Sequence, residues 1–213
     1  MNALILIMIA FNIQFSLSMV LNRQLLSEWY PKYETSQSFD LRNKTIDSIT
    51  IDTFANLTSL EQLTLSNNHL TSLDPLLFKS VTNVWDLRLD NNLLTKLDDS
   101  LLFQNLINLE WLNLESNQLT SLNLSLFSNL KSLRVLWLSF NKLLSLNTPM
   151  FSYTPSLKYL FLNDNQINSI DRLIFVGCVN LELVSLGNNP ICTTQPAYVQ
   201  QLCSTNPKCK IGI

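Results

Sequence analysis

Few side chains in this sequence could act on a substrate. A single histidine, His69, stands in 213 residues, so chemistry that needs paired imidazoles is absent. His69 follows Asn68 at the edge of a turn, and no serine or cysteine nucleophile has an evident base. Asp86 and Asp90 share one face, yet nothing there sets one carboxyl apart as acid and the other as base. Three glycines leave no glycine-rich phosphate loop. The four cysteines form no C-x-x-C pair and have no histidine nearby, which argues against zinc. No enzyme, cofactor or metal is expected. The remaining chemistry is that of contact: Trp85, Trp111, Trp137, Tyr159 and Phe161, with the charged residues Asp86, Arg88, Asp90 and Glu115. Whether these residues meet depends on the elements that carry them.

Those elements are repeats. The pattern L-x-x-L-x-L-x-x-N-x-L fits Leu60 to Leu70, Val84 to Leu94, Leu109 to Leu119, Leu133 to Leu143, Leu157 to Ile167 and Leu181 to Ile191. The asparagines Asn68, Asn92, Asn117, Asn141, Asn165 and Asn189 recur at spacings of 24, 25, 24, 24 and 24. Phe54, Phe78, Phe103, Phe127, Phe151 and Phe175 keep the same spacings. A degenerate first unit carries Phe39, Leu41 and Ile46, with Lys44 where asparagine is expected. Forty-five leucines and 25 asparagines follow from this pattern.

Alternation within L-x-L predicts a short strand with one buried face. One such strand cannot bury its leucines alone, but seven stacked in parallel can. The asparagine has both donors and an acceptor, so it can satisfy the backbone of its own turn and that of the next coil. The phenylalanine column fills the wider far side and bends the stack. On these residues the sequence resembles the leucine-rich repeat family in its 24-residue extracellular form, over about 36 to 191. Toll-like receptor ectodomains and small secreted leucine-rich proteins look similar. The expected fold is β-rich within the α/β class: a right-handed solenoid with a parallel sheet on its concave face, and turns and short 3₁₀ segments on its convex face.

In that stack the outward strand positions line up. One row reads Ser38, Gln62, Asp86, Trp111, Val135, Tyr159 and Leu183; the next reads Asp40, Thr64, Arg88, Asn113, Trp137, Phe161 and Ser185. Trp111, Trp137, Tyr159 and Phe161 would then form one aromatic patch, with Trp85 at its margin and Asp86, Arg88, Asp90 and Glu115 as a charged rim. Two readings stand. The patch is a partner-binding surface, or its aromatics are cross-strand pairs that stabilise the sheet. The charged residues are likewise either a rim or a solvated strand face.

Ends and address complete the reading. Residues 1–18 hold an unbroken apolar run, Ala3 to Phe11, too short to span a bilayer, followed by the small residues Ser16 and Ser18. This predicts a signal peptide cleaved after Ser18, with an uncleaved anchor or a buried segment as the alternatives. Sequons at Asn43, Asn56 and Asn123 agree with export, although unmodified surface asparagines read the same way. A net charge of −2 gives no electrostatic case for nucleic acid. Residues 19–35 are expected to cap the first unit. Residues 192–213 are expected to form a short cap similar to the family's cysteine-containing C-terminal one. Four cysteines allow three full pairings; one disulfide within Cys192, Cys203 and Cys209 is expected, with Cys203–Cys209 favoured. Cys178 reads as a core thiol. The expected protein is secreted, with no membrane span in the mature chain, and binds a protein or glycan on its concave face. The alternatives are a matrix or adhesion component that self-associates as a homodimer, and a truncated Toll-like receptor ectodomain.

Overall fold

A computed structural model describes residues 18–203, 206 and 208–213. The apolar run assigned to a signal peptide therefore lies outside the described residues. Each repeat contributes one three-residue strand: β2 (Ser38–Asp40), β4 (Gln62–Thr64), β5 (Asp86–Arg88), β6 (Trp111–Asn113), β7 (Val135–Trp137), β9 (Tyr159–Phe161) and β11 (Leu183–Ser185). They form one parallel sheet in sequence order. The middle residue of each strand (Phe39, Leu63, Leu87, Leu112, Leu136, Leu160 or Val184) is buried, and its neighbours point outward. The chain is therefore a leucine-rich repeat solenoid, as the period implies.

The asparagine column ties the coils together. Asn117 Nδ2 donates to Leu114 O at 3.1 Å in its own turn and to Leu89 O at 3.0 Å, and its Oδ1 accepts from Leu94 N at 3.1 Å. Asn141 repeats this with Leu138 O, Leu114 O and Leu119 N. The bonds reach back to the preceding coil rather than forward to the next, because the backbone groups left open by each turn face the following asparagine. This also accounts for Lys44 in the first unit. Lys44 N and Ile46 N both donate to Asn68 Oδ1, and the Lys44 ammonium lies over the Trp29 ring, 5.1 Å from its centroid.

Before Lys44 and before each of the six column asparagines the backbone turns left-handed, at Asn43, Asn67, Asn91, Ser116, Phe140, Asp164 and Asn188, with φ between 53° and 59°. A second polar row, unforeseen in the repeat reading, links the convex turns. Asn83 donates to Thr58 O, Asn108 to Thr82 O, Ser132 to Ile107 O and Asn180 to Pro155 O, at 2.8 to 3.0 Å. Its signal in the sequence is an Asn or Ser directly before the first apolar residue of the unit. Inside, phenylalanine rings stack along the column, 6.1 Å apart at Phe78–Phe103 and 5.8 Å at Phe127–Phe151.

At the start, β1 (Met19–Leu21) pairs in parallel with β3 (Ile46–Ile49). A helix, Arg23–Trp29, follows with Asn22 accepting from Leu25 N at its first turn. Tyr30 Oη donates to Asp40 O and accepts from Asp40 N, covering the free edge of β2. Two-residue strands β8 (Ser145–Leu146) and β10 (Ser169–Ile170) pair behind the main sheet. At the far end two short helices, Pro190–Thr194 and Pro196–Gln201, lead to a Cys203–Cys209 disulfide with an S–S distance of 2.04 Å. The segment after it, β12 (Lys210–Gly212), returns to the main sheet as an eighth strand beside β11. Nothing in the leucine period announces that strand. Cys178 is buried with its Sγ 3.6 Å from Thr154 Oγ1, and burial pushes its thiol pKa up to about 11.

Candidate concave recognition site

Register brings the aromatic residues together. Trp111, Val135 and Tyr159 are direct cross-strand neighbours, as are Asn113, Trp137 and Phe161. Strands about 4.8 Å apart place these side chains in contact range. The result is an open hollow of about 600 Å³ floored by Trp111, Val135, Trp137, Tyr159 and Phe161. Trp137 and Phe161 stack with centroids 5.9 Å apart and planes 9° apart. Trp111 remains 36% exposed and meets Trp85 edge to face at 5.3 Å.

Arg88, Arg134 and Lys158 also line the hollow, with Asn113. Each cation has a carboxylate partner. Arg88 Nη2 lies 2.9 Å from Asp86 Oδ2, Arg134 Nη1 lies 3.3 Å from Glu110 Oε2, and Lys158 Nζ lies 3.3 Å from Glu182 Oε1. Tyr159 Oη donates to the other Glu182 oxygen at 2.7 Å. That bond raises the Tyr159 pKa and, with Lys158, lowers that of Glu182. The hydrogen bond to Asp86 raises the Arg88 pKa further above its usual value. The rim is thus charged but locally balanced.

The residues singled out in the sequence divide. Trp111, Trp137, Tyr159, Phe161 and Arg88 line the hollow. Asp86 is buried beneath Arg88 and orients it. Trp85 supports Trp111 from the margin. Asp90 and Glu115 lie on the row beyond, where Ser66 Oγ and Asn91 Nδ2 donate to Asp90. Burial, and then the neighbouring Asp90 charge, raise the Glu115 pKa. Arg134 and Lys158 were not foreseen as lining residues. They occupy the row of Trp85 in their own units, one residue before the first outward position, and that register was their only signal. Phe140 lies outside the hollow's lining and is exposed at 53% with φ 55°, where other units carry Asn, Ser or Asp.

Asn43 and Asn56 are exposed. The Asn123 amide is engaged in the chain, donating to Asp98 O and accepting from Ser125 N. Among the described residues, no three His, Cys, Asp or Glu side chains are grouped to hold a metal ion, and no helix is long and apolar enough to cross a membrane.

Comparison with known proteins agrees with this geometry. A leucine rich repeat family model matches residues 37–94, 82–143 and 132–191. No curated protein matches the chain. Among solved structures, the chain is similar to the protein in a TLR13–ssRNA13 complex, at 27% identity and a TM-score of 0.76, over 92% of this chain and 27% of that one. It also superposes on a Drosophila Toll–Spatzle complex in its glycosylated form, at 21% identity and a TM-score of 0.55, over 82% of this chain and 31% of that one. The second likeness is one of fold alone. The chain spans less than a third of the length of either relative.

Proposed function

Because the chain belongs to the leucine-rich repeat family, we propose that it is a secreted, non-catalytic recognition module whose aromatic hollow binds a protein partner. The observation that carries this reading is the gathering of Trp111, Trp137, Tyr159 and Phe161 in one open concavity, inside a rim of paired charges. Aromatic residues in such settings supply most of the energy at protein interfaces. Solvated aromatics in a hollow of this size give a partner's apolar side chain somewhere to shed water.

Of the two partner classes expected from the sequence, the ring geometry favours protein over glycan. Trp137 and Phe161 turn their faces to one another, so the faces between them are not free as platforms for a sugar ring. The TLR13 relative was solved with single-stranded RNA and the Toll relative with Spatzle. Paired cations argue against nucleic acid here, since Arg88, Arg134 and Lys158 each already face a carboxylate. Export is supported by the exposed sequons at Asn43 and Asn56 and by the Cys203–Cys209 disulfide, a bond that persists in oxidising compartments.

The test is a pull-down from extracellular fluid with the wild-type chain and a Trp137→Ala variant side by side. Support is a protein retained by the wild type and lost by a folded variant. Equal retention by both, or capture of a glycan or RNA instead, overturns the reading.

A further inference from the structure

The backbone nitrogen of Met19 lies 2.6 Å from Asp47 Oδ2. The other oxygen of that carboxylate, Oδ1, is 3.6 Å from His69 Nδ1. Met19 is held in place from both sides: β1 pairs with β3, the strand that carries Asp47, and Leu21 is buried two residues on. Leu21 O accepts from Thr50 N at 2.9 Å and from Thr53 Oγ1 at 3.1 Å. Ser18, one residue earlier, is exposed. Among the described residues, strand pairing starts at Met19, the residue that follows the small-residue pattern Ser16-x-Ser18. The first nitrogen past that pattern meets a half-buried carboxylate.

We propose that the Ser18–Met19 bond is a proteolytic processing site and that Asp47 is the receptor for the amino terminus its cleavage creates. The proposal rests on the export reading and not on the aromatic hollow. In the step, a leader-cleaving protease directs water onto the Ser18 carbonyl carbon. The C–N bond breaks, Ser18 keeps the hydroxyl as a carboxylate, and the Met19 nitrogen takes up protons and leaves as an ammonium at neutral pH. A neutral amide with one N–H becomes a cation with three, against a carboxylate already in position. The amide's bond to a carboxylate is already charge-assisted; cleavage adds the opposite charge and makes it an ion pair. Cleavage at this bond therefore fastens the first strand of the mature chain, whereas cleavage one residue away leaves Asp47 facing an amide or no donor at all.

The whole chain, residues 1–213, should be expressed in a secreting cell and the product deglycosylated, weighed and sequenced from its amino end. A product starting at Met19 is expected. A secreted product with another start overturns the site while leaving export intact; a retained product that keeps residues 1–18 overturns both. The pairing is tested by four proteins: chains starting at Met19 or at Ser18, each with Asp47 or with Asp47→Asn. The substitution is expected to lower Tm by about 2–4 °C more in the Met19 start than in the Ser18 start. Equal losses in the two backgrounds mean an ordinary amide bond and overturn the ion pair.

Discussion

Trp137 on β7 and Phe161 on β9 stand one strand apart, with rings 5.9 Å from centroid to centroid and 9° from parallel. Their stacking joins two repeats across the concave face and sets one side of the hollow that Trp111 and Tyr159 complete. The pair has two separable roles. As a cross-strand contact it contributes about 0.5–1.5 kcal/mol to the fold. Under the proposed function, the same half-buried rings contribute more to association than to the fold.

Trp137→Ala is accordingly expected to lower stability by about 1 kcal/mol while weakening binding of the partner by about 2 kcal/mol or more, some thirtyfold. Urea unfolding gives the first figure and calorimetric titration the second. Unaltered affinity in a folded variant would remove the hollow from the interface.

The asparagine column makes a sharper stability prediction. Asn117→Ala leaves the buried Leu94 N without its acceptor, whereas Leu89 O and Leu114 O each lose one donor and keep another, from Asn92 and Asn141. With one orphaned donor in the interior, a loss of about 1–3 kcal/mol is expected. The urea midpoint should fall without a change of slope.

Phe140 makes the opposite prediction. A bulky residue at φ 55° is strained, and this one is exposed at 53%, so little packing offsets the strain. Phe140→Asn restores the residue type found at four of the other six equivalent turns and should stabilise the protein by about 1 kcal/mol. A fall in Tm would show that the ring packs against the fold.

Gly177 is required by space. A Cβ built there would stand 2.0 Å from Ser152 O, a backbone atom. Gly177→Ala must push two convex turns apart and should destabilise by about 1–3 kcal/mol. Equal Tm values for the two proteins would mean that the turns yield freely.

Glu115 gives a pH signature. Its pKa is raised in the folded chain, first by burial and then by Asp90. A folded pKa above the unfolded one means that the native state holds its proton more tightly, so stability falls as pH rises through that window. Glu115→Gln should therefore raise Tm at pH 7. The advantage should fade as pH falls toward about 4, where the unfolded carboxyl also protonates. A benefit that persists unchanged at pH 3 would point to packing instead.

The period of 24 residues, the asparagines and the phenylalanines determine the stack, the parallel sheet and the rows that face outward. One buried face per strand permits only one register, so residues 24 or 25 apart become neighbours. That much puts Trp111, Trp137, Tyr159 and Phe161 side by side. The tertiary structure decided what the rows do between them. Asp86 sinks beneath Arg88 while Arg134 and Lys158 rise to the hollow with their own carboxylates, because ion-pair choice depends on side-chain reach and burial and not on period. β12 joins the sheet 27 residues after β11, outside the repeat spacing, since an open sheet edge accepts any strand the chain can bring to it. Asp47 meets Met19 for a similar reason: the two stand 28 residues apart, and only the parallel pairing of β1 with β3 joins them.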